Sequence, residues 1–235
     1  MTITIYGGPQ TRASMPRWYL EEKGIAYKLV EIALSSDQNM QSDFLSVNPF
    51  GKLPAMRDQS ITDSEGKEIT LFESGAILLH LAEHHGREAT SASEKSLISQ
   101  WTHFANSTLA FAIFVPDQKT KILPRLLKQL NTQLSEGFLV GNAWGAADCA
   151  VTAYLAYIKL FFPNDDLSPY PQIDLLIEET RRRPAYKKAM GMSKPFPSSL
   201  NLEKTASKVN QINQYQKHTN LVTRESTISH AHRQL

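Results

Sequence analysis

Polar and apolar residues alternate over Thr2-Ile3-Thr4-Ile5-Tyr6, the mark of a short strand, which Gly7-Gly8-Pro9 then breaks. Helical spacing follows over Arg12–Lys23, with Met15, Trp18 and Tyr19 on one face and Gly24 as the stop. Thr11 is the predicted N-cap, and Pro16 lies deep for a first-turn proline. Tyr27–Ile32 reads as a second strand and Asp37–Ser46 as a short helix. Leu53–Met56 and Ile69–Phe72 begin two further strands, with polar Arg57–Lys67 as the loop of a hairpin. Ser74–His84 is a strongly apolar helix through Ile77, Leu78 and Leu81. The order β-α-β-α-β-β-α is an α/β unit of about 80 residues. Beyond it only helical periodicity remains, over Glu94–Phe114, Thr120–Leu134, Ala146–Phe161, Ile173–Arg182 and Pro184–Met190.

These patterns divide the chain into residues 1–86 (mixed), 93–192 (all-helical) and a polar extension, 193–235. The extension carries six Lys/Arg against two Glu, so within an overall charge of +2 the rest of the chain is slightly acidic. Its scattered apolar residues predict flexibility, with a weak helical pattern over Leu202–Tyr215. A total length of 235 residues and 41% hydrophobic content suit a soluble two-part protein. The small net charge gives no reason to expect a nucleic acid, and no apolar run is long enough for a membrane. Cys149 is the single cysteine, which excludes an internal disulfide and fits a reducing compartment. A strand-like start in place of a signal peptide completes the expectation of a cytoplasmic protein.

Two segments are candidates for chemistry. Asn48-Pro49-Phe50-Gly51-Lys52-Leu53-Pro54-Ala55 packs two prolines and a glycine before a strand. A proline there is a common site for a cis bond, which turns the N–H and C=O of the preceding residue outward to pair with a peptide-like ligand. An ordinary loop explains the segment equally well. The second segment, Leu71-Phe72-Glu73-Ser74-Gly75-Ala76-Ile77, sits where a strand hands over to a helix. Free N–H groups at such a junction favour a carboxylate, and Glu73 can accept from an ammonium. Ser74 as N-cap beside a solvated glutamate is the plainer reading.

In this order and spacing the two segments resemble the glutathione-transferase family, which carries Asn-Pro-Phe-Gly-Lys-Leu/Val-Pro and then Glu-Ser-Gly/Ala-x-Ile. Trp18–Tyr27 looks like the family's first helix and second strand. Phe138-Leu139-Val140-Gly141 with Ala146-Ala147-Asp148 looks like its core-helix signature, and Arg183-Pro184-Ala185-Tyr186 like its late turn. The resemblance implies a thioredoxin-like α/β N-terminal domain, an all-α C-terminal domain and a homodimer. It further implies that Leu53, held by cis-Pro54, pairs with the cysteinyl part of glutathione, and that Glu73 and Ser74 hold the γ-glutamyl end. Lys52 would meet the glycine carboxylate, and Asp148 would support the core helix. Gly145 departs from the family's Ser/Thr cap at a cost of a few tenths of a kcal/mol.

No cysteine lies at the start of the first helix, which argues against family members that use a protein thiol. The window Gly8–Ser14 resembles a bacterial subgroup with Ser-Arg-x-Ser. On that alignment Thr11 activates the glutathione thiol, with Gln10, Arg12 and Ser14 as alternatives, and Gln10 and Arg12 also as glutathione contacts. A small hydrophobic electrophile would lie against His103, Asn106, Ala110 and Phe111, whereas Trp101, Phe104 and Phe114 read as core. Glutathione is then a co-substrate, and no other cofactor is expected. His84-His85 and His230-x-His232 lack a supporting set of ligands, so no metal site is expected. The activity implied is conjugation of glutathione to electrophiles, as in detoxification. The alternatives are a non-catalytic glutathione-binding module and a glutathione-dependent peroxidase or disulfide reductase.

Overall fold

The computed structural model describes residues 2–9, 11–33 and 37–192. The extension 193–235, with its predicted flexibility and helix, lies outside these residues, as does Gln10. Four strands form one mixed sheet: β1 (Ile3–Gly7), β2 (Tyr27–Glu31), β3 (Ala55–Thr62) and β4 (Glu68–Phe72), in the order β2-β1-β3-β4. β1 and β2 are parallel, joined through α1 (Ser14–Glu22), while β3 runs antiparallel to both β1 and β4. β3 is longer than the sequence pattern predicts because it continues to Thr62 past a register shift between Asp58 and Thr62. The hairpin loop is correspondingly shorter, and an irregularity of this kind leaves no periodic signal.

The two sheet faces bury different residues. Ile3, Ile5 and Met56 face the main core with α1 and α3 (Ser74–His84). Tyr6 and Ala55 face a smaller cluster with Phe44 and Val47, on and just after α2 (Ser42–Leu45). The predicted helix over Asp37–Ser46 is thus a 3-10 turn, Gln38–Met40, followed by this single turn of α-helix.

The helical part comprises α4 (Ala92–His103), α5 (Ala110–Phe114), α6 (Pro116–Lys121), α7 (Leu123–Ser135), α8 (Ala146–Phe161), α9 (Pro171–Arg182) and α10 (Pro184–Met190). The expected Glu94–Phe114 helix is α4 and α5 joined by a π-helical turn, Phe104–Leu109. The expected Thr120–Leu134 helix is α6 and α7, broken near Ile122. α8 buries every residue from Ala146 to Ile158 and is the axis of the helical part. α1 packs on α3, α8 and α10, so the mixed and helical parts share one continuous core. Trp18 fixes that junction, lying 5.1 Å from the Trp144 ring and 5.2 Å from Tyr186. Among the described residues no helix is long and apolar enough to cross a membrane.

Glu88 supplies the cap that Gly145 lacks. Its Oε2 accepts from Ala146 N at 2.9 Å, and its Oε1 accepts from the Tyr19 hydroxyl at 2.9 Å and pairs with Lys23 Nζ at 2.6 Å. A Cβ at position 145 would stand 2.6 Å from Glu88 Oε2, so the glycine makes room for the remote carboxylate. Asp148 completes the helix start by accepting from Leu139 N and Gly145 N, the structural role the resemblance implies.

Candidate functional site

The loop before β3 is held by buried Asn48, whose Nδ2 donates to Lys52 O at 2.7 Å and whose Oδ1 accepts from Phe50 N at 3.1 Å. Asn39 Nδ2 donates to Gly51 O at 2.9 Å, and Gly51, at φ +61°, leaves no room for a side chain against Met40 Sδ and Asn39 O. The Leu53–Pro54 peptide bond is cis. Leu53 sits half-buried just ahead of the β3 ladder and makes no backbone hydrogen bond among the described residues. Lys52 beside it is exposed.

β4 passes to α3 through one residue. Glu73 makes that turn at φ +68°, ψ +120°, a conformation that costs a non-glycine residue of order 1–3 kcal/mol. Its side chain is exposed and makes no cap. Ser74 is not the N-cap but the first helical residue, and its Oγ accepts from Asn106 Nδ2 at 3.3 Å. The first N–H groups of α3 therefore have no side-chain cap, which suits an anion. Gly75 permits the approach, since a Cβ there would come within 2.5 Å of Asn106 Nδ2.

At the start of α1 the expected Thr11 cap gives way to Ala13, which has no capping side chain. Thr11 Oγ1 donates to Gly8 O at 2.8 Å and accepts from Ala13 N at 3.2 Å, tightening the turn that enters the helix. Gly7 is required there because a Cβ would collide with Ala13 Cβ. Pro16 falls at the third helical position, where its missing N–H leaves no helical bond unmade. Ser14 is buried: its Oγ bonds to Thr11 O at 2.7 Å and meets the Tyr157 hydroxyl at 2.8 Å. Burial pushes the Tyr157 phenol up to about 12, although the Ser14 hydrogen bond pulls it down. Arg12 is exposed and its guanidinium lies 5.8 Å from the Tyr154 ring. Burial also raises the Tyr154 phenol, Arg12 opposes that shift, and Glu73 adds to it.

A cleft of about 800 Å³ opens beside this turn, lined by Arg12, Asn106, Phe111, Phe114, Val115 and Gln118. Asn106 and Phe111 therefore share the cleft with Arg12, and Asn106 also reaches Ser74. His103 is exposed and outside this lining. Phe114, read as core from the sequence, is exposed and meets the Phe161 ring at 5.7 Å, apart from the Trp101–Phe104 pair. Cys149 is fully buried, its Sγ donating to Met15 O at 3.5 Å, and burial drives its thiol far above the ordinary range. It is inert as a nucleophile. The residues missed in the sequence are Tyr154 and Tyr157, whose three-residue spacing on α8 is the signal, and Glu88, which has none.

Residues 1–83 match the N-terminal domain family of glutathione S-transferases, and residues 112–190 match the C-terminal domain family. The disulfide-bond oxidoreductase YfcG of Escherichia coli is 30% identical over 209 residues, covering 80% of this chain and 94% of that protein. The glutathione S-transferase GstB of the same organism is 24% identical, covering 80% and 97%. Among solved structures, a glutathione transferase from Burkholderia graminis with two glutathione molecules bound per subunit superposes with a TM-score of 0.69 at 24% identity, covering 82% and 89%. Two matched domains in the expected order, a relative aligned along nearly its whole length and the thioredoxin-like sheet beside a helical domain agree: the chain belongs to the glutathione S-transferase family.

Proposed function

We propose that the protein binds glutathione across Leu53, Glu73 and Ser74 and conjugates its thiolate to small electrophiles held in the cleft beside Arg12. The observation that carries the reading is the Glu73–Ser74 junction: a strained acidic residue followed by an uncapped helix start presents a carboxylate and free N–H groups together, as a γ-glutamyl end requires. Leu53 offers an unpaired backbone for the cysteinyl part, and exposed Lys52 a cation for the glycine carboxylate.

Thr11 is the proposed thiol activator. Its hydroxyl donates to Gly8 O in the structure and rotates away from that carbonyl to donate to sulfur. A hydrogen bond to a thiolate contributes about 2 kcal/mol and the bond given up about 1, leaving a net gain of about 1 kcal/mol. Thr11→Ala should lower kcat/KM about fivefold and raise the thiol pKa, read from the pH profile, by about 0.7. Full activity with an unchanged profile would remove Thr11 from this role and leave Gln10, Arg12 and Ser14.

Disulfide exchange is the second reading. Arg12 and Gln118 give the cleft a cationic, polar side that suits a charged peptide disulfide. The thiolate of bound glutathione would attack a disulfide sulfur, forming a new disulfide and releasing the other sulfur as a thiolate. Turnover with several electrophiles set beside reduction of a glutathione mixed disulfide separates the readings. Binding without turnover in either assay favours a non-catalytic glutathione-binding role.

A further inference from the structure

At the far end of α3 from Glu73–Ser74, three side chains converge on one point. His80 Nε2 lies 2.9 Å and His85 Nε2 2.6 Å from the same atom, Asp58 Oδ2. Asp58 has no exposed side-chain surface, and the two imidazoles are only 10% and 17% exposed. The other carboxylate oxygen is occupied: Asp58 Oδ1 accepts from Ser60 N at 2.9 Å and from Ser60 Oγ at 2.6 Å. These bonds orient the carboxylate so that Oδ2 faces the two histidines, as outer-shell bonds do around a metal-binding carboxylate.

The local backbone is rigid for identifiable reasons. Asp58 makes the last regular pair with Ile69 before the register shift in β3, and Ser60 lies inside the irregular stretch. On the helix side, His85 N and Gly86 N both bond to Leu81 O, at 3.0 and 2.7 Å, closing the last turn of α3. Gly86 has no space for a Cβ because the Tyr19 hydroxyl fills it. That closure swings His85 back toward the sheet and onto the His80 side. On a continuing helix, residues five apart would diverge and His84 would be the neighbour of His80. Here the exposed His84 ring stands 4.6 Å from the His80 ring, while the hydrogen bonds to Asp58 Oδ2 come from His80 and His85.

We propose that Asp58, His80 and His85 form a binding site for a divalent transition-metal cation of the zinc type, clamping the end of the β3 ladder to the C-terminal turn of α3. Two imidazole nitrogens and one carboxylate oxygen, all within 4.8 Å of one another, are a donor set suited to zinc. Ligands about 2.0–2.1 Å from a tetrahedral zinc ion stand about 3.3 Å apart, so each imidazole nitrogen would draw back from Asp58 Oδ2 by only about half an ångström. The imidazoles would carry their protons on Nδ1 and present Nε2 lone pairs to the cation. The limited exposure of both rings leaves a path for the ion and for a water at the fourth position.

The test uses the full chain, stripped with a chelator and titrated with Zn2+ against a chromophoric competitor, with unfolding followed in parallel. The expected result is one saturable equivalent that raises the unfolding midpoint. His80→Gln and His85→Gln should each weaken binding about tenfold or more, and the double variant should abolish the shift in midpoint. His230→Gln/His232→Gln should bind as the parent does. Asp58→Asn removes the anchor of the β3 turn as well as a ligand, so the histidine variants carry the test. Absence of saturable binding overturns the proposal, as does binding that survives the double His80/His85 change or is lost only with His230 and His232.

Discussion

Replacing Glu88 by alanine tests how the two halves of the chain are joined. Three groups lose their partner at once: Ala146 N at the start of α8, the hydroxyl of buried Tyr19, and Lys23 Nζ. Loss of a helix cap costs about 1 kcal/mol. A buried hydroxyl left without an acceptor costs about 1–3 kcal/mol. Lys23 keeps the Trp144 carbonyl at 3.0 Å, so the ion pair adds about 1 kcal/mol at most. The expected destabilisation is therefore about 2–5 kcal/mol, or roughly 4–20 °C in Tm for a protein of this size. Urea unfolding followed by tryptophan fluorescence measures it, with Trp18 and Trp144 both near the junction. Tyr19→Phe should be costly in the parent and nearly neutral in the Glu88→Ala background, because the hydroxyl has already lost its acceptor. A loss below about 1 kcal/mol, or equal costs of Tyr19→Phe in both backgrounds, would refute the assignment of Glu88 as the remote cap.

Glu73→Gly should stabilise the fold by about 1 kcal/mol, by relieving the positive φ, while weakening glutathione binding about tenfold or more, measured by urea unfolding and calorimetry. Gly75→Ala should cost about 1–2 kcal/mol despite alanine's better helix propensity, because the new methyl meets Asn106 Nδ2 at 2.5 Å and Thr102 Cγ2 at 3.1 Å; urea unfolding that moves the other way would refute the close approach. Burial alone would raise the Glu22 carboxyl, but hydrogen bonds from Arg183 and Trp18 outweigh it and hold the carboxyl below its ordinary value. That stability is present above the free-chain value near 4.5 and is lost as pH falls below it, so Glu22→Gln should flatten the decline in acid unfolding, relative to the parent, below about pH 4.5.

Much of this protein is local, and that much was legible in the residues themselves. α3, α8 and α10 follow the apolar periodicity to the residue, because each helix start is marked by a strand end, a glycine or a proline. The cis Leu53–Pro54 bond and the strand-to-helix turn at Glu73-Ser74, proposed as the binding half of the site, were legible for the same reason: a turn that needs particular backbone angles carries its residues close together in sequence. Tertiary structure decided the rest. It engaged the Thr11 hydroxyl on Gly8 O and buried Ser14 against Tyr157, 143 residues away. It linked Asn106, on the wall of the cleft, to Ser74, and it gave the cap of α8 to Glu88, 58 residues distant. It also gathered Asp58, His80 and His85, which share no helical or strand period. Periodicity reports which face of one element is buried, whereas hydrogen bonds between elements depend on how those faces dock, and that is decided only when the whole core has packed.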